Sequence, residues 1–218
     1  MGRPLFTNMK TSLEEIDSDL KDIEARRDSL IKNTRDVIND CSNSIVSLHR
    51  SDLDKAVERM DKARATLDTL RAQARTDLYK YIVVPEQELV EAYMLRSIAE
   101  DKVLPSKKDL GVSGQAYLMG MLDCIGELKR MIYDTLRAGK SEESTKLFYV
   151  MEEIYSSVYP FAAFDNLVSG LRRKLDIAKV LIEDIRALVT EEKRRQKIML
   201  AMDDLKQHLD MVSTNKPT

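Results

Sequence analysis

The 218-residue chain contains little of what ends a helix or builds a cross-linked scaffold: it has seven glycines, five prolines, two cysteines and no tryptophan. So few glycines and prolines predict long helices joined by few turns, and no run of alternating β-branched residues is long enough to predict a sheet. The cysteines, Cys41 and Cys124, lack metal-ligand spacing and fall at core-like helical positions. They are interpreted as buried thiols in a reducing compartment rather than as a disulfide.

Charge and hydropathy exclude further classes of protein. The 35 Lys and Arg residues are balanced by 37 Asp and Glu residues, so the net charge is −2. The chain is therefore not a globally basic nucleic-acid binder, and a polyanion would have to meet a local basic patch. No stretch approaches ~18 uninterrupted apolar residues, so no membrane span is expected. The N-terminal sequence MGRPLFT has no apolar signal core, which predicts a cytoplasmic location.

The first predicted helix has a recognisable start and a long apolar stripe. Thr11 or Ser12 is expected to cap it, with Glu14 or Glu15 completing a capping box. From Leu20 to Leu48 the apolar residues recur mostly at alternating steps of three and four. This heptad-like spacing predicts a helix that packs lengthwise against another helix.

The remaining apolar periodicity predicts an all-α fold. Ser51 is expected to cap the second helix, and Gly139 to end the fourth in the left-handed conformation. Helices of this length joined by short loops indicate an antiparallel bundle of about six to seven helices. The bundle is taken as a single domain over residues 1–218, with flexible ends at 1–9 and 211–218. The later helices are predicted over about 53–82, 85–101, 115–138, 142–158 and 164–209.

Carboxylates interrupt the apolar sequence PEQELVEAYML at residues 85–95. At about 100° per residue, Glu88 and Glu91 lie about 60° apart on one side of the predicted helix. This helix is apolar nearly all round, so it should be largely buried. Two like charges in such a place repel each other and are costly to desolvate unless a cation compensates them.

A second acidic pair follows in YLMGMLDCIGELKRM at residues 117–131. Asp123 and Glu127 lie one turn apart there, on a side that also carries Gly120. A residue this small lets another backbone or a ligand come close.

Carboxylates of two helices with few basic residues nearby suit a hard divalent cation. Mg²⁺ takes oxygen ligands, keeps several waters and is often completed by a substrate phosphate. Such a site can activate water for attack on a phosphodiester. The alternative is that the acids are solvent-exposed or form ion pairs with Arg96 and Arg130, because an acidic pair one turn apart is a common pattern.

Two groups of basic residues lie along the predicted second helix. They are expected to bind nucleic-acid phosphates, and this binding should weaken as the salt concentration rises. The first group falls within about 40° on the helical wheel. The second is interleaved with acids, so a solvated helix face is its alternative. The chain has no aromatic RNA-recognition signature, which favours recognition of backbone and shape. The first group is Arg64, Arg71 and Arg75, the second is Lys55, Arg59 and Lys62, and Lys80 precedes the acidic helix.

Three segments together resemble the family of translin and translin-associated factor X: YLMGMLDCIGELKRM, QELVEA and LVSGLRRKLDIAKVLIEDIRAL. The resemblance covers residues 10–190 approximately. It implies an all-helical fold whose subunits form closed octameric shells that hold RNA. In this family the factor X branch carries a Mg²⁺-dependent endoribonuclease, while translin binds nucleic acid without the acid set.

The resemblance also implies roles for individual residues. Glu88 and Glu91 of QELVEA and Asp123 of LDCIGEL match the catalytic, metal-binding acids, with Glu127 as a fourth. Glu86 has no counterpart and is expected to be a first-turn residue favoured by the helix dipole.

The prediction from the sequence is therefore a homo-octameric, RNA-cleaving protein that uses Mg²⁺ or Mn²⁺. The alternative is a non-catalytic shell that binds RNA or single-stranded DNA. The chain departs from the family pattern in its short loop at 102–113 and in a C-terminal extension after about residue 190.

Overall fold

The computed structural model describes residues 4–214, and the all-α class is confirmed because this part of the chain contains no strand. None of its helices is long and apolar enough to cross a membrane. Three short 3₁₀ turns, Pro4–Phe6, Tyr79–Tyr81 and Tyr159–Phe164, accompany the α-helices. The helices are α1 Thr7–His49, α2 Leu53–Ala74, α3 Val83–Ala99, α4 Lys107–Leu110, α5 Gly114–Arg137, α6 Ser141–Val158 and α7 Leu171–Thr214.

The described residues form two compact units, divided within α5 between Met121 and Leu122. In the first unit α1 packs along α2 and α3. The heptad-like stripe of α1 is buried from Leu30 to Cys41, whereas Leu48 is half-buried and Leu20 is 59% exposed. Ser44, which interrupts the stripe, is buried and donates a hydrogen bond to the Ala56 carbonyl at 3.0 Å. The lengthwise packing predicted for α1 is therefore confirmed over its C-terminal part.

In the second unit α6 packs against α7. One side of α7 is buried at Leu171, Leu175, Ile182, Ile185 and Val189, and none of the side chains described after Val189, as far as Met211, is buried. The remainder of α7 continues to Thr214 without a break. The prediction of a single domain over 1–218 stays a prediction.

Helix starts were the least accurate part of the sequence analysis. α1 begins at Thr7 without a side-chain cap, so the capping box at Thr11 or Ser12 is wrong. α2 is capped by Asp52, whose carboxylate accepts from the backbone N–H of Lys55, and not by the predicted Ser51.

The predicted ends were wrong in one helix and right in another. α2 stops at Ala74 because Arg75 has a positive φ of 48°, although apolar periodicity extended the prediction to residue 82. Gly139 adopts φ 75° after α5, which confirms its predicted left-handed conformation. α7 begins only after Gly170, at φ 83°, instead of near Phe164.

Two further segments differ from the prediction of irregular structure. The predicted loop after α3 contains α4, which Ser106 and Asp109 begin with a reciprocal capping box. Residues 4–9 and 211–214, predicted to be flexible, are helical. Residues 1–3 and 215–218 lie outside the described part of the chain.

Candidate metal and nucleic-acid site

The acids of α3 lie on a largely buried helix. Pro85 falls in its first turn, where a missing N–H costs no helical hydrogen bond. Glu91 is only 8% exposed and Glu88 is half-buried. Burial raises the pKa of the Cys41 thiol on α1, and the negative charges of Glu88, Asp40 and Glu91 raise it further. Three carboxylates therefore act on one buried position of α1, so negative potential is concentrated there.

The negative charge of Asp40 is compensated by two ion pairs. It is 4% exposed, and its two carboxylate oxygens lie 2.8 Å from Arg59 Nη1 and 2.9 Å from Lys62 Nζ. Burial alone would raise the pKa of Asp40, but hydrogen bonds from Lys62 and Arg59 outweigh burial and lower it. Asp40 is thus held as a buried anion by two cations of α2.

Gly120 sets how closely α5 approaches the acidic helix within the first unit. A Cβ added to Gly120 would lie 2.5 Å from the Gln87 carbonyl oxygen and 2.7 Å from Val90 Cβ. Glu88 and Glu91 each follow one of these contacted residues by a single position. The close approach of another backbone at Gly120 is therefore confirmed, and this contact fixes the part of α3 that carries the acids.

The second acidic pair belongs to the second unit. The Asp123 carboxylate accepts a hydrogen bond from Lys174 Nζ of α7, and the two side chains are 26% and 24% exposed. Sequence analysis missed this ion pair because the residues are 51 positions apart. Lys174 does lie in LRRKLD, one of the segments that carry the family resemblance. Glu127, half-buried, follows Asp123 by one turn of α5.

The ligand chemistry of both pairs is that of hard cations. Within neither unit do the described residues include a group of three or more His, Cys, Asp or Glu side chains that could hold a metal ion. Mg²⁺, however, usually takes one or two carboxylates and completes its shell with waters and substrate phosphate. The pair of Glu88 and Glu91 and the pair of Asp123 and Glu127 each meet that smaller requirement.

Glu86 is the centre of a hydrogen-bonded network that sequence analysis missed. It lies in the first turn of α3, as predicted, but it is fully buried. Its Oε1 accepts from Arg71 Nε at 2.9 Å and from the Tyr79 hydroxyl at 2.7 Å, and its Oε2 accepts from the Ser113 N–H at 2.9 Å. Burial and the bond to Glu86 raise the pKa of Tyr79 to about 12. The network ties together the last turn of α2, the 3₁₀ turn at Tyr79, the first turn of α3 and the residue that precedes α5.

Four of the predicted nucleic-acid-binding cations are engaged in internal contacts. Arg71, 19% exposed, binds Glu86, and both Arg59 and Lys62 bind Asp40. Arg64 donates to the Asp109 carbonyl at 2.7 Å, and its guanidinium lies over the Tyr93 ring. These contacts limit how far each side chain can turn toward a ligand.

The other three predicted cations are exposed. Lys55 lies in the first turn of α2, and Lys80 lies in the 3₁₀ turn with its Nζ 5.2 Å from the centroid of the Tyr81 ring. Arg75 follows α2, with its Nη1 3.8 Å from an oxygen of Asp22 and its side chain 64% exposed. A nucleic-acid contact stays a prediction for all seven residues.

The Translin family model matches residues 25–189. The chain belongs to the Translin family. The family resemblance seen in the sequence is thereby confirmed, while assignment to the factor X branch stays a prediction. A relative of this Translin-family chain is the uncharacterized protein MJ0175 of Methanocaldococcus jannaschii, which is 30% identical over 160 residues, or 72% of each chain.

Solved structures have the same fold as this Translin-family chain. AfC3PO in complex with duplex RNA is 30% identical, with a TM-score of 0.77, over 84% of this chain and 97% of that one. AfC3PO is also solved in a structure with a TM-score of 0.78 and 31% identity, covering 84% of this chain and 98% of that one. Apo-NeC3PO, at 22% identity and a TM-score of 0.69, covers 87% of this chain and 98% of that one and supports the fold alone.

Proposed function

We propose that this Translin-family protein binds RNA and cleaves its phosphodiester bonds with Mg²⁺ or Mn²⁺. The observation that carries the proposal is the acidic pair of α3, in which Glu91 is buried and Glu88 is half-buried. Glu91 and Glu88 lie on a helix fixed by the close approach at Gly120, and their charges act on the same buried position as Asp40. The RNA part is supported by similarity to AfC3PO, whose structure includes duplex RNA.

The proposal gives the four acids a common chemical task. The pair of Glu88 and Glu91 and, separately, the pair of Asp123 and Glu127 would each provide oxygen ligands for a metal ion. A bound divalent cation polarises a phosphate oxygen and lowers the pKa of a water that attacks the phosphorus. Lys174 restrains Asp123 through its ion pair and brings a positive charge to that carboxylate.

The exposed cations are proposed to bring RNA to the protein. Lys55, Arg75 and Lys80 can meet phosphates without giving up a buried ion pair. Contacts of this kind release counterions, so affinity should fall steeply with salt and depend little on base sequence. The protein is further proposed to act as a homo-oligomer that closes into an octameric shell and works in the cytoplasm.

A non-catalytic shell that binds RNA or single-stranded DNA is the second candidate. The ion pair of Asp123 and Lys174 favours it, because a lysine already neutralises one of the proposed metal ligands. Neither unit alone contains a group of three acids among its described residues that could hold a metal. This candidate predicts binding without cleavage.

The experiment compares cleavage and binding of labelled RNA, single-stranded and duplex, with Mg²⁺, with Mn²⁺ and with EDTA. The proposal expects metal-dependent cleavage that falls by about a hundredfold or more in Glu91→Gln and in Asp123→Asn, with binding retained. Glu183→Gln, which changes an exposed acid of α7 in the same way, should cleave normally. Binding without cleavage by the wild-type protein would refute the nuclease and leave the non-catalytic shell.

A further inference from the structure

Two lysine–carboxylate pairs join α5 to α7 in the second unit. Lys174 of α7 contacts the Asp123 carboxylate of α5, and Lys129 Nζ of α5 lies 3.1 Å from an oxygen of Asp184 of α7. The two lysine side chains are almost equally buried, at 24% and 25% exposed, but Asp123 is 26% exposed whereas Asp184 is 54% exposed. Lys174 therefore neutralises the more buried carboxylate, and Lys129 provides a comparison between the same two helices.

The acid that Lys174 neutralises is one of the proposed metal ligands. An ammonium group and a divalent cation are both attracted to the oxygens of Asp123, and two cations beside one carboxylate repel each other. Salt screens this repulsion weakly, because neither side chain of the pair is more than 26% exposed. Lys174 therefore weakens metal binding by Asp123 and Glu127 for as long as it stays on Asp123.

A lysine is suited to leave such a pair when a second anion is offered to it. Its ammonium group ends a flexible four-carbon stem, carries three donors and binds phosphates as a point charge. An RNA phosphate beside the acidic pair offers Lys174 a replacement for the Asp123 carboxylate. Lys174 keeps a counter-charge after this exchange, and the Asp123 carboxylate is released for the metal ion.

We propose that Lys174 is a positioning residue that couples RNA binding to metal binding. Without RNA it holds Asp123, and with RNA it moves to a phosphate and releases Asp123 for a divalent cation. Because linkage is reciprocal, each ligand should strengthen the binding of the other, by about fivefold or more. The inference rests on the proposed metal site at Asp123 and Glu127, but it does not require that RNA is cleaved.

Mn²⁺ binding to the full-length protein tests this coupling, with the electron paramagnetic resonance signal of free Mn²⁺ as the measurement. Titrations are recorded in the cold, with and without a short duplex RNA that gel electrophoresis shows to be intact. The Mn²⁺ bound by RNA alone is subtracted. The wild type should bind Mn²⁺ about fivefold or more tightly in the presence of RNA.

The decisive variant is Lys174→Met, which keeps an apolar stem but loses the charge. Without RNA it should bind Mn²⁺ about tenfold more tightly than the wild type, because no ammonium group opposes the metal ion at Asp123. The effect of RNA on its Mn²⁺ affinity should be largely lost. Lys174→Arg retains a permanent positive charge, so its Mn²⁺ binding without RNA should stay as weak as in the wild type.

Two controls separate competition at Asp123 from a general effect of charge or packing. Lys129→Met removes the equally buried lysine of the other pair and should bind Mn²⁺ like the wild type. Asp123→Asn combined with Lys174→Met should lose the gain in affinity, which assigns that gain to the acidic pair. Urea unfolding is measured on every variant, because a lysine with a purely structural role would change stability and leave Mn²⁺ affinity unchanged.

Four outcomes would overturn the proposal. Equal Mn²⁺ affinity of Lys174→Met and the wild type without RNA would mean that Lys174 does not compete with the metal ion. An equal gain in Lys129→Met would assign the effect to the loss of any lysine between these helices. Wild-type Mn²⁺ affinity that is independent of RNA would mean that Lys174 does not move to a phosphate. Absence of Mn²⁺ binding in every protein would remove the metal site as well.

RNA cleavage with Mg²⁺, measured on the same proteins, keeps this inference separate from the nuclease. Coupled binding of RNA and Mn²⁺ without cleavage would refute the nuclease and leave the role of Lys174 intact. Metal-dependent cleavage by a wild type whose Mn²⁺ affinity does not depend on Lys174 would refute the coupling and leave the nuclease intact.

Discussion

Replacing Gly120 by alanine would place a methyl carbon 2.5 Å from the Gln87 carbonyl oxygen and 2.7 Å from Val90 Cβ. Neither atom can swing aside like the end of a flexible side chain, so α3 and α5 must move apart locally. Overpacking of this kind costs about 1–3 kcal/mol. Alanine gains about 1 kcal/mol over glycine in a helix interior. The expected net result is a loss of about 0–2 kcal/mol in the free energy of unfolding.

Gly126 of the same helix provides a matched control, because a Cβ added there meets nothing within 4 Å. Gly126→Ala should therefore stabilise the protein by up to about 1 kcal/mol. Both variants gain the same helix propensity, so this gain cancels when their free energies of unfolding are subtracted. The remaining difference is the overpacking cost at position 120. That difference should be about 1–3 kcal/mol.

Urea unfolding followed by circular dichroism measures this difference, and RNA cleavage measures its consequence for the acids. Moving α3 displaces Glu88 and Glu91, so Gly120→Ala should cleave RNA more slowly while Gly126→Ala cleaves normally. If the two variants proved equally stable, the close approach at Gly120 would not constrain α3. The reasoning that this contact fixes the acidic helix would then be refuted.

Three further predictions follow from the ion pairs and the exposed cations. Glu86→Gln should lower the free energy of unfolding by about 1.5–3 kcal/mol, measured by urea unfolding, because Arg71 loses the charge-assisted bond to its buried partner and keeps only its pair with the exposed Asp68. The pKa of Asp40 is lower in the folded protein than its unfolded value of about 4. Its carboxylate therefore stabilises the folded state above the unfolded pKa, and this stabilisation is lost as the pH falls through the folded pKa. Asp40→Asn should therefore lose less stability than the wild type between pH 7 and pH 3, and an equal loss would contradict the assignment. Arg75→Ala combined with Lys80→Ala should lower the salt dependence of RNA binding by about two phosphate contacts, and an unchanged slope in a salt titration would remove both residues from the interface.

The sequence predicted helix type and number well because apolar periodicity and scarce glycine and proline act along the chain. It predicted the ends of helices less well, since these depend on single residues. Arg75 ends α2 with a positive φ that no local pattern announces, whereas glycine at position 139 made its left-handed conformation predictable. Ser106 and Asp109 form a capping box whose spacing is present in the sequence, in a segment for which the lack of apolar periodicity predicts a loop.

The acids of the candidate site were located by their unusual place in apolar helices and by the family resemblance, but their partners were not. Lys174 contacts Asp123 from 51 residues away. Arg71 contacts Glu86 from another helix, although the helical wheel grouped it with Arg64 and Arg75 as a predicted phosphate contact. A wheel shows which residues share a side of one helix, and only the tertiary packing shows what that side meets.

The cations near α2 therefore divide into two sets with different electrostatic surroundings. Arg59 and Arg71 contact the buried acids Asp40 and Glu86, and such pairs are weakly screened by salt. Arg75 and Lys80 are exposed, and phosphate contacts made there would be strongly screened. Raising salt from 50 to 300 mM should thus leave the midpoint of urea unfolding nearly unchanged while RNA affinity falls steeply. A parallel loss of stability and affinity would mean that the inner pairs are open to solvent and that the cations form one continuous binding face.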